Sequence, residues 1–140
     1  MTGPADFNTA VVEEFRANRG VVGGPFEGRT VLLLHTTGAR SGAPRLSPLV
    51  YVSVAGRMLI IAAYAGAAHD PAWAHNLRGR PRARIEVGTD SYDVTARELS
   101  RDERDEVYPD VVAQAPNFAG YQARTDRVIP IFELTRADQA

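Results

Sequence analysis

The chain has 140 residues, a formal net charge of -1, 44% hydrophobic residues and 24% charged residues. This size and balance predict one domain with a hydrophobic core and exclude bulk disorder. The near-neutral charge argues against a general nucleic-acid binder. The lack of cysteine removes disulfides, Cys-ligated zinc, iron–sulfur clusters and thiol nucleophiles.

From the N-terminus, residues 5–19 place Phe7, Val11, Val12 and Phe15 on one helical face, with Gly20 as a stop. Residues 20–28 are rich in Gly and Pro and read as a loop. The apolar run Val31-Leu-Leu-Leu34 within Thr30–Thr36 suits a buried strand. A polar, turn-rich loop from Thr37 to Pro44 follows. The next strand is expected at Arg45–Val54, with Arg45, Ser47, Leu49, Tyr51 and Ser53 on one face and Leu46, Pro48, Val50, Val52 and Val54 on the other. Pro48 lacks an N–H, so pairing must have an edge, a bulge or an interruption there. Ala55-Gly56 turns the chain into Arg57–Ala63.

Asp70-Pro71 predicts a helix start with Asp70 as N-cap, and Gly79 and Pro81 mark its end. Arg82–Val87 and Tyr92–Leu99 flank Gly88-Thr-Asp-Ser91 as a hairpin. Ser100-Arg-Asp-Glu103 has the pattern of a capping box and opens a helix to about Gln114. Ile129–Leu134 closes the series as a strand. The order of elements therefore predicts an α+β domain with an antiparallel sheet curled into a small barrel and helices at its rim.

The longest largely apolar run, Met58 to Ala68, is too short to span a membrane as a helix, and no basic leader opens the chain. A cytoplasmic protein is the expectation. All 16 basic residues are Arg, which leaves no Schiff-base lysine.

The loop after the first strand carries the densest set of chemical groups. Thr36, Thr37 and Ser41 offer hydroxyls, Gly38 and Gly42 permit close backbone approach, and Arg40 and Arg45 offer forked cationic donors suited to phosphate or carboxylate. No Walker or Rossmann pattern accompanies them, so an ordinary polar loop stands beside the anion-binding reading. Arg78, Arg80, Arg82 and Arg84 read as a solvated strand edge. His35, His69 and His75 have no metal-ligand spacing, and His75 reads as a structural polar residue. Ser41 is in no nucleophile elbow. Glu13, Glu14, Asp102, Glu103, Asp105 and Glu106 read as solvated helix faces. Trp73, Phe118 and Tyr121 read as packing residues near helix ends and loops, and Tyr121 can also donate a hydrogen bond or a proton.

Five stretches together carry a resemblance. They are FNTAVVEEFRANRG from Phe7, VGGPFEG from Val22, LLLHTTGARSGAPRLSPL from Leu32, DPAWAHNLRGRP from Asp70 and YQARTDRVIPI from Tyr121. In this combination and order the chain resembles the deazaflavin-dependent nitroreductase family, which uses 8-hydroxy-5-deazaflavin (coenzyme F-420) in place of FMN.

The resemblance implies a split β-barrel of the flavin-binding type and a reductase that passes a hydride from the reduced cofactor to an electron-poor small molecule. Acceptors of that kind are quinones, conjugated enones of the coumarin type, and nitroaromatics. It implies that Thr37, Gly38, Arg40, Ser41 and Arg45 hold the cofactor's phosphodiester and acidic tail. It also implies that Ser47, Pro48 and Leu49 run beside the ring, and that Ala62, Ala63, Tyr64, Gly66 and Ala67 form the facing loop. Trp73 and Tyr121 then lie on the substrate side, with Tyr121 as the candidate catalytic hydroxyl.

Against the family pattern, Ala39 replaces a basic residue, Ala63-Tyr64 replaces Ser-Lys, and Ala115 and Phe118 replace tyrosines, which implies a less polar acceptor pocket. Two alternatives share the barrel: a carrier of deazaflavin, flavin or haem without turnover, and an FMN-dependent oxidoreductase. A monomer or homodimer with peripheral membrane contact completes the expectation.

Overall fold

A computed structural model of the chain describes residues 4–23, 30–63, 66 and 68–137, with the backbone alone for 4–8. Phe7, most of the Val22–Gly28 stretch, Tyr64 and Ala67 lie outside the described residues or side chains. The elements run α1 (Pro4–Ala17), β1 (Val31–Thr37), β2 (Pro44–Val54), β3 (Arg57–Ile61), α2 (Ala72–Gly79), β4 (Arg82–Val87), β5 (Asp90–Glu98), α3 (Arg101–Gln114), α4 (Asn117–Ala123) and β6 (Ile131–Arg136). The strands close into an antiparallel barrel in the order β1-β2-β3-β6-β5-β4, with β4 paired back onto β1.

The alternation along β2 has the expected phase, and its outer face meets first α1 and then α3 with α4. Leu46 and Val50 pack on the cluster of Val11, Val12 and Phe15 from α1 with Val31 and Leu33 from β1. Val52 and Val54 join Val107 and Val111 of α3 and Phe118 of α4. The inner face belongs to the barrel core, where Leu32, Leu34, Ile60, Ile85 and Phe132 meet. Trp73, Ala74 and Leu77 of α2 join that core, so α2 plugs one mouth of the barrel. Pro48 sits opposite Leu33 of β1, while the β2–β3 ladder begins only at Tyr51. The missing N–H therefore interrupts nothing on the β3 side, as the sequence requires of an internal proline.

Three sequence expectations need correction. Asp70 does not cap α2: Pro71 occupies the N-cap with no side-chain hydrogen bond, and helical residues begin at Ala72. Two guanidiniums hold the Asp70 carboxylate instead, Arg78 at 2.7 Å and Arg127 at 2.6 Å. The arginine run is not a strand edge, because barrel closure leaves β4 flanked by β1 and β5. Arg82 and Arg84 reach Asp93 across the β4–β5 ladder, and Arg78 binds Glu98 and Asp70. Finally, Asn117–Ala123 is a helix where the sequence reading placed no element. Burial of Phe118 draws this segment onto the barrel, and a Cβ on Gly120 would meet nothing within 4 Å.

The capping box at Ser100 forms as read. Ser100 Oγ accepts from the Glu103 N–H, and the Glu103 carboxylate accepts from the Ser100 N–H. Hydrogen bonds from Arg97, then the Ser100 backbone, hold the Glu103 carboxyl down to about 2. On α1, Arg16 makes a two-point contact with Glu86 of β4, which also lies 2.6 Å from His35. Arg16, followed by His35, holds the Glu86 carboxyl below its ordinary value. This latch sits on the barrel face that α1 covers.

Candidate active site

Two cavities meet at the N-terminal end of α2. The larger, about 540 Å³, is lined by Gly38, Ala39, Arg40, Ser41 and Arg45 from the β1–β2 connection and by Ala72, His75 and Asn76 from α2. The smaller, about 260 Å³, is lined by Pro48, Leu49 and Val50 of β2, Ile61 and Ala63 at the end of β3, Pro71 and Trp73, and Asn117, Phe118 and Tyr121 of α4. Consecutive residues Pro71, Ala72 and Trp73 alternate between the two cavities, which makes them neighbours along one groove.

The loop that supplies the first cavity is held by its own backbone. Gly38 N–H donates to Ala43 O at 2.8 Å, Gly42 N–H donates to Gly38 O at 2.9 Å, and Ala43 N–H donates to Ser41 Oγ at 3.1 Å. A Cβ on Gly38 would stand 2.6 Å from Ser41 Oγ, so a side chain there would displace the hydroxyl that accepts from the Ala43 N–H. Buried Asn76 fastens this loop to α2: its Oδ1 accepts from the Ala39 N–H at 2.9 Å, and its Nδ2 donates to Thr36 Oγ1 at 3.1 Å. The sequence reading missed Asn76, although it lies within the DPAWAHNL stretch. Its single trace there was a polar residue on the apolar face of a short helix, one position before Leu77.

Charge distinguishes this cavity. Among the described residues, nine arginines lie within 4 Å of a carboxylate, from Arg16 at Glu86 to Arg127 at Asp70. Arg40 and Arg45 belong to no such pair, and both line the cavity from an exposed loop and strand end. Two cationic forks without an internal counterion can each take two oxygens of a phosphate or carboxylate. His75, read from the sequence as a structural polar residue, is exposed at the same rim.

The second cavity is apolar and aromatic. Trp73 meets Phe132 edge-on at 5.7 Å, and Phe118 meets Tyr121 edge-on at 5.9 Å. Tyr121 is half-buried and lines the cavity, with Arg124 over its ring at 5.8 Å. Such a slot suits a flat conjugated ring. Gly66, between β3 and α2, approaches the end of α4 closely. Its φ is +83°, and a Cβ would stand 2.8 Å from Tyr121 O and 2.9 Å from Arg124 Cβ. Only glycine reconciles that angle with so close an approach to α4.

Most of the predicted site residues converge here. Gly38, Arg40, Ser41 and Arg45 line the first cavity; Pro48, Leu49, Ala63, Trp73 and Tyr121 line the second. Thr37 and Ser47 are half-buried on β1 and β2 and line neither. Ala62 is fully buried in the barrel core, so its side chain faces neither cavity. The replacements Ala63 and Phe118 both line the second cavity, which is therefore less polar than tyrosine and serine at those positions would make it. Among the described residues there is no cluster of three or more His, Asp or Glu able to hold a metal, and no helix long and apolar enough to cross a membrane.

Comparison with known proteins agrees with this geometry. The family described as F420H(2)-dependent quinone reductase matches residues 8–136. A relative from Mycobacterium tuberculosis (strain ATCC 25618 / H37Rv), named F420H(2)-dependent quinone reductase, is 35% identical over 126 residues, 87% of this chain and 85% of the relative. A solved structure of an F420-H2 dependent reductase is 36% identical, with a TM-score of 0.67 over 76% of this chain and 94% of that one. A second solved chain, described as a domain-swapped dimer, is 31% identical, with a TM-score of 0.68 over 94% of this chain and 99% of that one. The chain belongs to the F420H(2)-dependent quinone reductase family, within the deazaflavin-dependent enzymes whose motifs it carries.

Proposed function

We propose that this protein reduces quinones with the reduced deazaflavin coenzyme. The observation that carries the reading is the pairing of two uncompensated guanidiniums, Arg40 and Arg45, with an adjoining aromatic slot in a chain of this family. The donor set fits the cofactor. An anionic phosphodiester and carboxylate tail matches the arginine cavity, and a flat tricyclic ring matches the slot.

Arg40, Ser41 and Arg45, with the loop backbone at Gly38, would hold the tail, and Pro48, Leu49 and Ala63 would lie along the ring. When bound, the reduced cofactor supplies a hydride from its central carbon. The chain's own residues do the rest. Trp73 and Phe118 would exclude water and hold a flat acceptor in the slot. The Tyr121 hydroxyl donates the proton that, with the two electrons of the hydride, completes a hydroquinone. Thr37, Ser47 and Gly66 support this surface from the flanking strands and loop. Loss of the hydroxyl at Phe118 favours quinones and conjugated carbonyls over nitroaromatics. The site works in the cytoplasm, where a quinone acceptor brings the protein to a lipid surface, and the unit is a monomer or homodimer.

Fluorescence titration with the deazaflavin beside FMN tests the reading, followed by turnover with a naphthoquinone. Saturable deazaflavin binding, much weaker FMN binding and hydroquinone formation are expected. Binding without turnover on any quinone indicates a carrier, and preference for FMN indicates the flavin oxidoreductase.

A further inference from the structure

Arg127 lies outside both cavities, yet it grips both ends of the loop that separates β3 from α2. At the start of that loop, Arg127 Nη2 donates to the carbonyls of Ala62 at 3.1 Å and Ala63 at 3.0 Å. At its end, Nη1 donates to Asp70 Oδ1 at 2.6 Å. The other oxygen of Asp70 accepts from Arg78 on α2. One planar group thus fixes where the chain leaves the sheet at Ala63 and where it enters α2 just before Trp73.

The backbone of Arg127 is fixed in turn to α4. Gln122 Nε2 donates to Arg127 O at 2.7 Å, while Gln122 Oε1 accepts from the Ile129 N–H at 3.0 Å and from buried Arg104 of α3 at 2.8 Å. The slot lies between the pieces so joined, with Ala63 and Trp73 on one side and Phe118 and Tyr121 on the other. We propose that Arg127 is a positioning residue that sets the width of this slot, and so its preference for flat acceptors, by stapling both ends of the 63–70 loop to the segment that carries Tyr121. As a specificity role, this rests on the quinone-reductase reading.

A guanidinium suits the task where an ammonium does not, because its forked donors reach two carbonyls and a carboxylate at fixed angles. Arg127→Lys keeps the charge beside Asp70 and loses the fork. The double variant Arg127→Met with Asp70→Asn removes the charge pair from both sides, so no lone carboxylate remains to destabilise the fold. Trp73 is the single tryptophan of the chain and lines the slot, so acrylamide quenching of its emission reads slot opening with no cofactor present.

Both variants are expected to raise the quenching constant severalfold at temperatures well below Tm. They are also expected to lower kcat/KM for a naphthoquinone by roughly ten- to a hundredfold and to narrow its lead over a bulky tetrasubstituted benzoquinone. A lower Tm with Trp73 quenching unchanged would reduce Arg127 to a purely structural role and overturn the proposal, as would unchanged discrimination between the two quinones in enzyme that turns over. If quenching rises but wild-type protein binds no deazaflavin, the staple stands and the quinone-reductase reading falls.

Discussion

The two cavities use arginine in opposite ways. At the first, Arg40 and Arg45 face open space with no carboxylate beside them. At the second, the cations stand behind the wall and are spent on protein groups: Arg127 on Asp70 and two carbonyls, Arg104 on Ile129 O and Gln122. A cation left unpaired is available to a ligand, and a cation fully paired fixes a position. Loss of Arg40 or Arg45 should therefore change affinity, whereas disturbing the second cavity should change turnover.

The sharpest test of that division is Tyr121→Phe, which removes one hydroxyl from the apolar slot. We expect kcat to fall by up to roughly a hundredfold, the low end of general-acid contributions, with deazaflavin affinity unchanged in a fluorescence titration. A rate equal to wild type on every quinone tested would remove the hydroxyl from the chemistry. Arg45→Ala addresses the other cavity. It should weaken deazaflavin binding by about 1.5–3 kcal/mol, the usual worth of a hydrogen bond to a charged group. Raising salt should weaken wild-type binding in the same direction, because Arg40 and Arg45 are exposed to screening.

Asn76→Ala lies between these cases, since Asn76 touches no open cation but holds their loop. It leaves the buried Thr36 hydroxyl and the Ala39 N–H without their partner, and should lower stability by about 1–3 kcal/mol in thermal or urea unfolding. Part of that loss should reappear as weaker deazaflavin binding. An unfolding midpoint at the wild-type value would mean that the loop holds itself.

The smallest effect concerns acid. Glu103 is held down to about 2 from an ordinary 4.5, so its folded-state advantage is full above pH 4.5 and is lost as pH falls towards 2. Glu86 and Glu133 are shifted in the same direction by Arg16 and Arg57. Melting temperature followed from pH 6 to pH 2 should therefore drop below the ordinary carboxylate range, and Glu103→Gln should flatten part of that drop. A Glu103→Gln profile that overlays wild type would show that the capping box carries no linkage. Paired cations thus make the fold acid-sensitive, while the unpaired ones make binding salt-sensitive.

What could be read from residues alone follows the range of each interaction. The Ser100 capping box is a contact over three positions, and it formed as its pattern demands. The phase of β2 and the accommodation of Pro48 follow from period-two alternation and the missing N–H. The cluster of Gly38, Arg40, Ser41 and Arg45 was legible because all four lie within eight positions.

Asp70 misled because a local cap signal competed with two guanidiniums, one of them 57 residues away. Arg127 and Gln122 were visible as letters of a motif, but their partners on the 62–70 loop and α3 come together only once the barrel closes. Helix α4 failed for a related reason. Its seven residues include Gly120 and carry no side-chain cap, and burial of Phe118 against α3 and β3 holds them in a helix.

Closure of the barrel has a consequence for how the chain is made. The seam strand β6 lies between β3 and β5, and among the described strands it comes last in the chain. Until Arg136 has left the ribosome, β3 and β5 each expose an unsatisfied row of amides and carbonyls able to pair with another nascent chain. Cotranslational handling of this protein therefore turns on β6, and a stalled or nicked product lacking that strand should be sticky rather than merely inactive.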